Sequence, residues 1–140
     1  MDISIHDNQL TSYSVLCQKR EIHLHTTFLD SEPYEYTDVI FSGVVIYHFE
    51  CDNLDTVIFD IGEAELEDIY AEYESLFSRL KNYAWITFTY ESKEDLIRKV
   101  REMNVKAFTI NSSYGLAGWI WAESMSKKLR DESKGKNLTS

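Results

Sequence analysis

Near residue 62 the apolar side chains of this 140-residue chain change their spacing, which rules out both an all-α and an all-β fold. Residues 10–19, "LTSYSVLCQK", and 20–29, "REIHLHTTFL", alternate with a period of two, as strands with one buried face do. "SEPYEY", holding the single proline Pro33, interrupts them. Residues 36–51, "YTDVIFSGVVIYHFEC", are dense in β-branched and aromatic side chains, and Gly43 in their middle predicts a bulge or a bend. "TVIFDI" adds a short strand, so the first sixty residues read as an antiparallel meander. In "GEAELEDIYAEYESLFSRLKNY" the apolar residues Leu66, Ile69, Tyr70, Tyr73, Leu76, Phe77 and Leu80 instead follow steps of three and one, the stripe of an α-helix. Acids crowd its beginning, and Arg79 and Lys81 close it, as the helix dipole favours. The spacing predicts one long amphipathic helix over 63–82.

Further on, "AWITFTY" alternates like a strand, and "SKEDLIRKVREMN" reads as a second, shorter helix over 92–103. Ser92 is its N-cap and Asp95, three residues on, completes a near capping box. "VKAFTIN" and "GLAGWIWAESM" read as two last strands. The expected class is α+β, an antiparallel β-meander sheet packed against one long amphipathic helix. A single domain spans 1–125, and the polar stretch 126–140 reads as a flexible tail. No run of about 18 apolar residues is present to form a membrane span. The start "MDISIHDNQL" lacks the pattern of a secretory signal. The expectation is a cytoplasmic protein whose Cys17 and Cys51 remain thiols.

Charge narrows the function classes. The formal net charge is -10, unevenly distributed. Between Glu21 and Ser78 there are fifteen acidic residues and no lysine or arginine, whereas from Arg79 onward twelve basic residues face seven acidic ones. An acidic span of this kind repels phosphates, so direct nucleic-acid binding is not expected. It suits capture of a basic protein partner. The binding candidates are Glu63, Glu65, Glu67, Asp68, Glu72 and Glu74, followed by Asp52 and Asp55, with Tyr34, Tyr36, Tyr70 and Tyr73 interspersed.

Chemistry-bearing residues are few. His23 and His25 stand one residue apart and share a strand face opposite to Ile22, Leu24 and Phe28. With His48 from a neighbouring strand, and Glu50 or Cys51 as a fourth group, they would make a metal site or the centre of a small enzyme. The Cys-x-x-Cys and His-Glu-x-x-His spacings of strong metal motifs are absent, so no cofactor is expected and the metal reading stays an alternative. Neither Cys17 nor Ser112 and Ser113 sits in a nucleophile loop. "DNLDT" lacks the ligand pattern of a calcium loop. Gly115-x-x-Gly118 is either a phosphate-gripping pair or a turn feeding a strand. Trp119 and Trp121 share a face that is either core or an aromatic surface for a partner, including a second copy in a homo-oligomer. At least one of the two is expected in the core.

The order "HDNQLTSYSV", "REIHLHT", "IFSGVVIYHFE", marked by His6, Asp7, Gly43, Val44 and Phe49, resembles small bacterial meander proteins of unknown function. Some of those are assigned as immunity proteins of polymorphic-toxin systems. The resemblance covers residues 6–61. It implies a cytoplasmic inhibitor of a toxin domain, and toxin nucleases are basic. The expected function is therefore non-enzymatic binding.

Overall fold

The structure, a computed structural model, describes residues 3–86 and 88–130. It is an α+β fold with one eight-stranded antiparallel sheet. The strands are β1 (Gln9–Leu16), β2 (Glu21–Phe28), β3 (Glu35–Ser42), β4 (Ile46–Glu50), β5 (Val57–Ala64), β6 (Lys106–Tyr114), β7 (Ala117–Ala122) and β8 (Ser124–Arg130). The helices are α1 (Leu66–Glu72), α2 (Glu74–Leu80) and α3 (Lys93–Glu102), with a 3-10 turn at Lys81–Tyr83.

The sheet order is β4-β7-β6-β5-β1-β2-β3-β8. Only β1, β2 and β3 form the expected meander. Because β3 runs on into β4, and β7 into β8, the two ends of this order are covalent extensions of interior strands. Segments 35–50 and 117–130 thus make one long antiparallel ribbon. Ser42 faces Ser124 and Ile46 faces Trp121, so three residues on one strand oppose two on the other. The extra residue is a bulge at the position Gly43 predicts, with Gly43 at φ 66° and the Glu123 N–H donating to Ser42 and Gly43 carbonyls. A Cβ at Gly43 would collide with the Glu123 side chain. The kink turns the ribbon, and the sheet curls around an apolar interior. Phe41 of β3 meets Phe108 of β6 across it, ring centres 5.6 Å apart. Ile22, Leu24, Val39, Ile58, Ile110 and Ile120 complete this inner core.

A second core lies on the opposite face of β4, β6 and β7. There Trp119, Trp121, Ala107 and Ile46 pack against Leu66, Ile69, Phe77, Leu96, Ile97 and Val100 of the helices. Alternation along β7 sends Trp119 and Trp121 to the helices and Ile120 and Ala122 to the interior.

Three sequence expectations are corrected. The helix expected over 63–82 is neither so long nor continuous. Glu63 and Ala64 belong to β5, paired with Phe108 and Ala107, so ladder bonding extends the strand into the acidic run. At Tyr73 the backbone leaves the helical region (φ -111°, ψ 26°) and divides the remainder into α1 and α2. This bend lets Ile69 and Phe77, on separate helices, both reach the sheet. "AWITFTY" forms no strand among its described residues. Its bulky side chains fall on both alternation phases, and Ile86, Tyr90, Trp85 and Phe88 pack into the helix-side core instead. The supposed tail begins as β8, which pairs with β3 from Ser42↔Ser124 to Tyr36↔Arg130. The rest of that stretch, 131–140, lies outside the described residues.

The second helix is as expected. The Ser92 hydroxyl accepts the Asp95 N–H at 3.1 Å, and the Asp95 carboxylate accepts the Glu91 N–H at 2.9 Å. That backbone bond, with Lys99 and Arg98 beside it, holds the Asp95 carboxyl down at about 2.

Candidate functional site

The sequence-predicted acids do not act as one cluster. Glu67 pairs with Arg101 at 2.7 Å, and that guanidinium holds its carboxyl below the usual range. Glu63, out on β5, lies 3.9 Å from Lys106. Cations of the C-terminal half thus neutralise two of the candidates. Glu65, Asp68, Glu72 and Glu74 are exposed and make no ion pair among the described residues. Glu65, Asp68 and Glu72, spaced by three and four, share one face of α1 and its N-terminal flank.

Two tyrosines and further acids join this face. The Tyr73 hydroxyl donates to Glu50 Oε1 at the end of β4, tying the helix bend to the sheet edge. Burial first, then this bond and the charges of Glu50 and Glu72, push the Tyr73 phenol up. The Tyr70 phenol is raised by burial and by Glu74 and Glu94. Glu50 therefore joins this face through Tyr73, and Glu94 acts on Tyr70 through its charge; sequence reasoning placed neither among the binding acids. No local spacing signals them, because fold contacts over more than twenty residues bring them in. Tyr36 is committed elsewhere, beneath the Arg130 guanidinium at 5.3 Å.

Asp52 and Asp55 lie in the exposed loop after β4. Asp52 accepts a short hydrogen bond from Tyr13. That bond, with desolvation and the Asp52 charge, pushes the Tyr13 phenol up to about 12. The folded value exceeds the unfolded one near 10. Its stabilising contribution is fully present below pH of about 10 and is lost as pH climbs from there toward 12. In a titration followed by phenolate absorbance, Asp52→Ala should return one late-titrating tyrosine to the ordinary range. A titration curve identical to the parent's would refute the contact.

Trp119 and Trp121 are 1% and 0% exposed, so neither is a surface platform. Both indole N–H groups are buried without a hydrogen-bond partner, and ring packing alone holds them. The glycine pair is a turn and a close approach rather than an anion grip. A Cβ on Gly115 would meet the Asp55 carbonyl oxygen at 2.4 Å and one on Gly118 the His48 carbonyl oxygen at 2.0 Å. Protein oxygens already occupy that space and would repel phosphate.

The histidines separate. His48 sits on β4, which pairs with β7 and not with β2, and its ring lies between Tyr73 and Trp119 at 5.3 and 6.0 Å. It cannot complete a site with His23 and His25. Among the described residues no three His, Cys, Asp or Glu side chains gather to hold an ion. His23 and His25 do share the outer face of β2, each against a carboxylate, Glu21 and Asp38 respectively, at 2.9 Å. Arg130 Nε stands 2.9 Å from the same Asp38 oxygen as an ion pair. Cys17 and Cys51 are exposed thiols.

Compared with protein-family models, curated proteins and solved structures, the chain matches none of them. Its function must therefore be argued from its own surface. No helix among the described residues is long and apolar enough to cross a membrane.

Proposed function

We propose that this protein is a non-enzymatic acidic binding protein that captures a basic protein partner, in the manner of an immunity-type inhibitor of a toxin domain. The observation that carries this reading is the set Glu65, Asp68, Glu72 and Glu74, exposed and without an ion pair among the described residues, beside Tyr70 and Tyr73. Of the nearby cations, Arg101 is paired with Glu67 and Arg98 and Lys99 with Asp95, while Lys93 lies over the Tyr70 ring at 6.0 Å. Uncompensated charge of one sign steers an oppositely charged partner, and flanking aromatic rings supply apolar contact area once it docks.

The test is binding of cationic toxin nuclease domains, at low and high ionic strength. Association should slow steeply with added salt. The combined substitution Glu65→Gln, Asp68→Asn, Glu72→Gln and Glu74→Gln should slow it by about tenfold or more at low salt. The same four changes touch no internal ion pair, so stability should shift by less than about 0.5 kcal/mol. Binding that ignores both salt and these substitutions would remove the electrostatic mechanism.

Self-association is a second reading, favoured by one observation: among the described residues β4 and β8 each have a single neighbouring strand. Open strand edges invite pairing. Lys128, exposed on β8, would bring like charges together across a self-paired edge, which places this reading second. Light scattering on the purified protein distinguishes a monomer from an assembly.

A further inference from the structure

We propose that His23 and His25 form a two-histidine chelate for a divalent transition ion such as Zn2+, Cu2+ or Ni2+, on the outer face of β2. The two rings project from one strand face with centroids 6.3 Å apart. Ordinary strand histidines need only one satisfied nitrogen each. Here the partners are both carboxylates, and that decides which nitrogen stays open. Glu21 Oε1 lies 2.9 Å from His23 Nε2, and Asp38 Oδ1 lies 2.9 Å from His25 Nδ1. A carboxylate accepts only, so the ring proton of each neutral imidazole is placed toward it. His23 is left with a lone pair on Nδ1 and His25 with one on Nε2. Carboxylate-oriented imidazoles of this kind are the usual supporting arrangement of metal-binding histidines.

The support reaches further back. The Arg130 guanidinium, over Tyr36, forms an ion pair with the same Asp38 oxygen at 2.9 Å, so the surroundings of His25 draw on three strands. On β1 the residues opposite the histidines are Ser12 and Ser14, whose small side chains leave the approach open. Glu21, which has no lysine or arginine partner among the described residues, also offsets part of the charge of an arriving dication. Imidazole pairs favour zinc, copper and nickel over magnesium or calcium. Only two imidazole ligands are present among the described residues, so water or an incoming group fills the remaining positions, and the ion exchanges freely.

The test uses the full chain titrated with ZnCl2 by calorimetry, and with trace Cu2+ while histidine ring resonances are followed by NMR. The expected result is a single site, with His23 and His25 broadening before His6 and His48. His25→Ala should weaken binding at least tenfold, and His48→Ala should leave it unchanged. Glu21→Gln, at a strand end, should retain the fold and weaken binding by about tenfold, the effect of losing an orienting carboxylate. Broadening shared equally by the four histidines, or an isotherm indifferent to His25→Ala, would overturn the assignment.

Discussion

Phe77→Ala will lower folding stability by about 4 kcal/mol, toward the upper part of the range for buried phenylalanines. Phe77 is 0% exposed and stands at the centre of the aromatic group that joins the helices to the sheet. Its ring centre is 4.7 Å from Tyr70, 5.1 Å from Trp85 and 5.3 Å from Trp121. It lies nearly parallel to Trp119, at 5.7 Å and 11°. Burial of such a side chain is worth roughly 1.5–3 kcal/mol, and favourable ring pairs add about 0.5–1.5 kcal/mol each. Tryptophan rings on a sheet cannot close inward to fill the space, so the cavity penalty persists. Urea unfolding followed by tryptophan fluorescence should show a lower midpoint at an unchanged slope. A loss below about 1 kcal/mol would mean that α2 is not seated on β7.

The same residue shows what sequence period can and cannot reveal. The steps from Leu66 to Leu80 pick out Leu66, Ile69, Tyr70, Tyr73 and Phe77, which do pack into the helix-side core, but also Leu76 and Leu80, which stay half-buried outside it. They do not reveal that Glu63 and Ala64 find hydrogen-bond partners on β6, nor that Tyr73 leaves the helix to reach Glu50. Those outcomes depend on segments 23 or more residues away. Likewise, period two places Trp119 and Trp121 on one face, while only the docking of the helices decides that this face is interior. β8 was hidden for a related reason. Its polar composition suits a strand with one wet face, but "SMSKKLR" without its partner β3 looks like solvent-exposed chain. In 84–90 the reverse holds: Trp85, Ile86, Phe88 and Tyr90, apolar on both phases, mimic a strand while packing into the helix-side core without forming one among the described residues.

The candidate site follows the same division. The acidic run is plain in the composition, yet its useful subset is not. Arg101 and Lys106 remove Glu67 and Glu63 from it, and Glu50 and Glu94 enter through the environments of Tyr73 and Tyr70. For the histidines, the shared strand face is legible from their spacing. The carboxylate behind His25 comes from β3 and the displacement of His48 from the ribbon kink, neither of which local sequence encodes.

Gly118→Ala should be at least as damaging as the loss of Phe77, through backbone geometry instead of lost packing. Gly118 pairs with Phe49 where β7 meets β4, at φ 153°, a conformation that L side chains rarely adopt. A Cβ there would lie 2.0 Å from the His48 carbonyl oxygen and 3.0 Å from the Phe49 Cα. Both are backbone atoms, so no side-chain rotation relieves the overlap. Backbone strain costs on the order of 1–3 kcal/mol, and forced overpacking costs a similar amount, giving about 4 kcal/mol together. Gly62→Ala is the matching control. It lies in the neighbouring part of the sheet, and a Cβ there meets nothing within 4 Å. That change should leave stability unaltered or raise it by about 0.4–1 kcal/mol, because alanine restricts the unfolded chain. Parallel thermal and urea denaturation of the two variants separates a general intolerance of added methyl groups from a specific clash. If both alanines behave alike, β4 does not lie against β7 in the register drawn here. The ribbon that carries Glu50 to Tyr73, and His48 away from His23 and His25, would then have to be redrawn.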